Sequence, residues 1–149
     1  MFTHKFQRRA VLWHITALFT TPYFASPAKA TTRPEVGQYV KAFVTADGVK
    51  VWTLRYGHRE ANQALLQITN VDHPLDKKIL VAKTQMTGAD TKYWIQLENR
   101  SFNVLVVTDG SGDLYLPGLS RAKSIRYDDE LSSQGNAEHF LTEFQDQNE

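Results

Sequence analysis

The chain has 149 residues, 17 Lys+Arg against 16 Asp+Glu, a formal net charge of +1 and no Cys. The length fits one domain. The missing Cys excludes disulfides, thiol catalysis, Cys-ligated zinc, iron–sulfur clusters and an acyl anchor on Cys. The even charge balance gives no footprint for nucleic acid.

Positive charge is concentrated at the start. Residues 1–30 hold Lys5, Arg8, Arg9 and Lys29 and no acidic residue. The apolar stretch Ala10–Phe24 is 15 residues long and contains His14, Thr16, Thr20 and Thr21. A membrane-spanning helix needs about 20 mainly apolar residues, so this stretch is too short and too polar to span. It leads to Ala28-Lys29-Ala30, which has the A-x-A form of a cleavage site. Basic, apolar and small-residue regions in that order predict a secretory signal peptide over 1–30, cleaved after Ala30. An N-terminal helix of the domain is the alternative, but it leaves the acid-free run unexplained and meets Pro22, Pro27 and Pro34. The segment Gln7-Arg8-Arg9-Ala10-Val11-Leu12 resembles a twin-arginine motif in its paired Arg and in Leu12, and departs from it at Gln7 and Val11. Paired basic residues are also ordinary in Sec signals, so the Sec route is expected.

Cleavage removes four positive charges and no negative one, which leaves 13 Lys+Arg against 16 Asp+Glu in residues 31–149, a net of −3. Such a domain has no electrostatic pull toward DNA, RNA or anionic lipid. No stable membrane span is expected once the signal is removed. Small secreted eukaryotic domains lean on disulfides, so a Cys-free exported domain fits a bacterial periplasm. The glycosylation triplet Asn99-Arg100-Ser101 is of a kind that arises often by chance.

Residues 31–149 read as a single β-rich domain. Val36–Thr45 and Val49–Tyr56 alternate on either side of Asp47-Gly48, which predicts a hairpin with a type I′ turn. Ala64–Val71, Ile79–Met86, Tyr93–Leu97, Ser101–Thr108, Leu114–Leu116 and Ala122–Tyr127 follow, separated by turn residues. Ser101–Thr108 is apolar on both faces at its centre and is expected to be the most buried strand. Near the C-terminus the period changes. Asn136 can cap a helix over about 136–146. Ala137, Phe140, Leu141 and Phe144 form its apolar stripe, and the tail after about Asp146 should fray. Short connections imply antiparallel pairing. The expected fold is an antiparallel meander of about seven or eight strands (bent sheet, barrel or sandwich) with one C-terminal amphipathic helix packed on it.

Chemical motifs are sparse. Asp109-Gly-Ser-Gly-Asp113 offers oxygens at loop positions 1, 3 and 5, but Leu114 and Ser120 stand where an EF-hand needs Gly and Glu, so it reads as a turn. Asp128-Asp129-Glu130 reads as a solvated loop face. No G-x-S-x-G elbow and no phosphate loop occurs. Only His58, His73 and His139 follow residue 30, without metal-ligand spacing. No metal, cofactor or assigned catalytic residue is expected.

Function therefore rests on binding. The loop Gly57-His58-Arg59-Glu60 and the loop Asp72–Lys77, with His73 and Asp76, are the expected contact surface, because function concentrates on loops held by a rigid scaffold. Trp52 is expected to pack inside. Tyr93 and Trp94 must face opposite ways, which makes a partly exposed Trp94 a binding candidate. The expected function is a small periplasmic, non-catalytic protein that binds a protein partner, as an inhibitor or immunity protein does, or a small apolar ligand in the sheet's concavity. A hydrolase using His58 or His73 with Asp72 or Asp76 is the competing class. An envelope component that adds strands to a partner is the third, and it would need an unpaired edge such as Val36–Thr45.

Overall fold

The computed structural model describes residues 32–149. The expected signal peptide, 1–30, and the cleavage site after Ala30 lie outside the described residues. The chain runs up and down through β1 Lys41–Thr45, β2 Lys50–Tyr56, β3 Gln63–Thr69, β4 Ile79–Thr87, β5 Asp90–Leu97, β6 Arg100–Thr108, β7 Ser111–Leu114 and β8 Lys123–Tyr127. Each strand pairs antiparallel with the next. The last returns to the first through Phe43↔Tyr127, Val44↔Arg126 and Thr45↔Ile125, which closes a barrel. Closure leaves β1 paired on both sides, so the edge that strand addition would need does not exist there.

Turn chemistry sets the registers. Glu98-Asn99 (φ 46 and 64) and Asp109-Gly110 (φ 42 and 82) have positive φ at both central positions, the type I′ form that matches strand twist. The turn at Asp47-Gly48 differs from the expected type I′. Of these two residues only Gly48 has positive φ, at 87. Gly48 N–H donates to the Thr45 carbonyl, and Thr45 N–H to the Val49 carbonyl. The loop is thus three residues, Ala46-Asp47-Gly48, with glycine in the left-handed position. The Thr45 hydroxyl selects it by donating to the Asp47 carboxylate and accepting the Val49 N–H.

Inward and outward side chains alternate along each strand. Phe43, Val51, Leu66, Ile68, Ala82, Ile95, Leu105, Leu114 and Ile125 are buried together and fill the barrel. The outer face of β4 and β5 carries Lys83, Gln85, Lys92 and Gln96, the reverse of the apolar outside and polar inside of a bilayer-spanning barrel. Among the described residues no helix is long and apolar enough to cross a membrane.

The most buried strand is β3, not β6. Ala64, Leu65, Leu66 and Ile68 are each at most 4% exposed. Leu65 faces outward, yet the C-terminal helix covers it. In β6 a bulge opposite Tyr93/Trp94 turns both Val104 and Leu105 into the core, while the flanking residues stay partly open.

Two helices follow the barrel. The short α1, Asp129–Gln134, was not expected. Asp128, read as part of a solvated loop, is its N-cap and accepts from Leu131 N–H at 2.9 Å. Ser132 Oγ then accepts the Ala42 N–H at 2.8 Å, beyond the last β1–β8 pair. Helix α2, Ala137–Gln147, is capped by Asn136, whose side chain accepts from His139 N–H. Phe140 and Leu141 bury against Val40, Leu54, Leu65 and Ile79 on the outer face of the barrel, and Phe144 meets Tyr56 edge-on at 5.6 Å. Each fully buried leucine here contributes about 1.5–3 kcal/mol. Trp52 packs in this second, external core rather than inside the barrel. The helix end does not fray at Asp146. The Gln147 amide accepts from Ile79 N–H and donates to the Ile79 carbonyl, both at 2.9 Å, and so pins the last turn to β4.

Candidate functional site

In an up-and-down barrel successive connections fall at opposite ends. The β2–β3 loop with His58, Arg59 and Glu60 stands at one end, and the β3–β4 loop with Asp72, His73 and Asp76 at the other. The seven residues of β3 separate them by about 20 Å. The two loops expected to form one contact surface therefore belong to two different surfaces.

At the first end Glu35, just ahead of β1, organises the charges. Its carboxylate accepts from Arg55 at 2.8 Å and contacts His58 Nδ1 at 2.7 Å. Arg55 first and His58 second hold this carboxyl below its ordinary range. His58 thus has a carboxylate partner, but it is Glu35 rather than Asp72 or Asp76. The imidazole is 83% exposed. The nearest groove is lined by Arg59 and Arg55 and not by His58. Arg59 and Glu60 form a short 3-10 turn, exposed and without ion pairs among the described residues.

At the other end His73 is a strut between two loops. Its Nδ1 accepts the Leu75 N–H at 3.1 Å, which places the ring proton on Nε2, and Nε2 donates to the Pro117 carbonyl at 2.9 Å. Both ring nitrogens are engaged, so this His is not poised as a general base. Asp76 accepts the Val71 N–H at 3.2 Å and shapes the same loop. Asp72 is exposed, with no hydrogen bond or ion pair among the described residues. The strut holds open a cleft of about 580 Å³, whose walls are Pro74, Leu75, Leu97, Phe102 and Pro117, with Glu98 and Arg100 at the rim. That volume lies within the range of roughly 300–1,000 Å³ usual for binding clefts. Of the expected site residues only His73 reaches it. Leu97 and Phe102 share the β5–β6 hairpin, but only the tertiary fold brings Pro117 and the β3–β4 loop to them, so the cleft escaped sequence reading. The one available signal was an apolar residue, Leu97, directly before a tight turn.

A smaller cavity of about 230 Å³ opens at the first end, where the inward positions Lys41, Thr53, Thr84, Met86, Thr91 and Tyr93 meet. Trp94 belongs to neither cavity. It is half-buried on the outer face, paired in register with Lys83 and Asn103, while Tyr93 is 9% exposed on the inner face. Among the described residues no three of His, Asp and Glu converge on one point. Comparison of the chain with protein-family models, curated proteins and solved structures finds no match.

Proposed function

We propose that residues 31–149 act in the periplasm as an exported, non-catalytic binding protein. On this reading the cleft behind the β3–β4 loop receives an apolar side chain of a protein partner, such as an enzyme that the protein inhibits or to which it confers immunity. The observation that carries the reading is the cleft itself. Its walls are leucine, phenylalanine and proline, its rim is charged, and a His strut fixes the distance between its two loops. An apolar pocket with a polar rim is the usual form of an interface anchor point. A small apolar ligand inside the barrel is less favoured, because the lumen is already filled by side chains. The hydrolase reading is less favoured as well, because His73 spends both nitrogens on loop structure and the His58–Glu35 pair stands in solvent. Export is supported by the order of basic, apolar and small-residue regions over 1–30.

The test expresses the full chain with a C-terminal tag in a Gram-negative bacterium. The product is recovered from the periplasm for N-terminal sequencing and capture of bound protein. The expected product starts at Thr31 and co-purifies with a defined protein in stoichiometric amount. Ser101→Trp puts a bulky ring into the cleft from an exposed strand position and should abolish capture, whereas Thr87→Trp, at the far end, should retain it. Capture that survives Ser101→Trp, or a cytoplasmic uncleaved product, overturns the corresponding half of the proposal.

A further inference from the structure

The mouth at the opposite end carries an independent feature. Inward positions of a small barrel are normally filled by apolar side chains, and the deep layers here obey that rule with Val51, Leu66, Leu105, Leu114 and Ile125. At the mouth the inward layer changes to Lys41, Thr53, Thr84 and Thr91 around the ring of Tyr93, with Met86 on the other side. Polar groups turned into a barrel require partners. Thr53, 3% exposed, finds one in the Tyr93 hydroxyl. Arg55 finds Glu35 and the carbonyls of Val36 and Gly57. Lys41 lies exposed at the rim and makes no ion pair or side-chain hydrogen bond among the described residues. The mouth therefore presents one solvated, unpaired positive charge at its rim, beside a cavity lined by Thr53, Thr84 and Thr91. Met86, 80% exposed, and Tyr39, 74% exposed, extend apolar surface from its rim.

We infer that this mouth binds a small organic monoanion, a carboxylate carried on a short apolar body. The carboxylate meets Lys41 and accepts from the threonine hydroxyls, while the body lies along Tyr39 and Met86. The volume, below the roughly 300 Å³ at which pockets for drug-sized ligands begin, limits the occupant to a small molecule. A single available cation matches one negative charge, and a dianion would leave its second charge unpaired in a partly enclosed site.

The test titrates the ¹⁵N-labelled full chain with phenylacetate and, separately, with uncharged 2-phenylethanol. Phenylacetate should shift the backbone amides of Thr84, Thr91 and Tyr93 and leave those of Leu97 and Phe102 in place. Lys41→Met and Lys41→Gln should each weaken it about two- to fivefold, the worth of one exposed ion pair, and Lys41→Arg should restore most of the affinity. 2-Phenylethanol should bind about two- to fivefold more weakly than phenylacetate on the same ground. The inference is overturned by any of three results: no shift at the mouth, equal phenylacetate affinity after both charge-removing substitutions, or equal binding of the uncharged probe.

Discussion

Leu141→Ala probes whether α2 is part of the folded unit or an appendage. Leu141 is completely buried, and it packs with Phe140 against Leu54, Leu65 and Ile79 on the outside of the barrel. Truncating a buried leucine costs its transfer energy and adds a penalty for the cavity left behind, together about 2.7–5 kcal/mol. Helix α2 is held to the barrel along one side only, so it can settle partway into the gap. This argues for the low end, about 3 kcal/mol. With a urea m-value of about 2 kcal/mol/M for a domain of this size, the unfolding midpoint should fall by about 1.5 M. The assay is urea denaturation followed by circular dichroism and by tryptophan fluorescence, the latter reporting on Trp52 beneath the helix. Met86→Ala, at an 80% exposed position, serves as control and should change stability by no more than about 0.5 kcal/mol. A Leu141→Ala midpoint within about 0.3 M of the parent, the size of shift expected at a surface site, would refute the docking argument.

Three further outcomes are expected. Gly112→Ala should destabilise by at least about 3 kcal/mol in the same urea assay, because a Cβ there lies 2.0 Å from the Val106 carbonyl oxygen and only backbone could move aside. The Glu35 carboxyl is lowered by Arg55 and His58, so its contribution is complete above the ordinary value of 4.5 and is lost as pH falls through the lower folded value. The stability gap between parent and Glu35→Gln should thus be present above pH 4.5 and shrink in acid; a gap that persists unchanged to about pH 2 would contradict the ion-pair network. Burial raises the Tyr93 phenol above 10.0 despite the opposing Thr53 hydrogen bond, so its contribution is present below pH 10.0 and is lost as pH rises through the folded value. Absorbance titration should show one of the six tyrosines ionising late, and Tyr93→Phe should remove that phase.

Local features were legible in the sequence where local physics decides them. Seven strands were visible as alternating runs, and the stripe Ala137, Phe140, Leu141, Phe144 marked α2 together with its Asn136 cap, but β7 runs over Ser111–Leu114, mostly through residues expected to be a turn, and not over Leu114–Leu116. Reading failed where a particular side-chain hydrogen bond, or packing from a distant element, overrode the composition of the segment. Asp47-Gly48 has the composition of a type I′ turn, yet Thr45 bonds to Asp47 and Val49 and selects a three-residue loop instead. Asp128-Asp129-Glu130 looked like a solvated acidic run until the Asp128 side chain was seen capping α1. Leu65 alternates as an outward residue, and only the helix laid over it makes β3 the most buried strand.

The candidate sites divide the same way. Composition alone determined that the domain lacks Cys and has few His, because counting residues needs no geometry, and alternation along the chain marked it as β-rich. It could not decide that Phe43 pairs with Tyr127 and so closes the sheet, or that the loops of His58 and His73 point away from each other. The contact between His73 and Pro117 spans 44 residues of chain, and neither residue's neighbours specify the other. Strand and turn identity come from side chains within a few residues. Closure, the cleft and the charged mouth come from which strands finally meet.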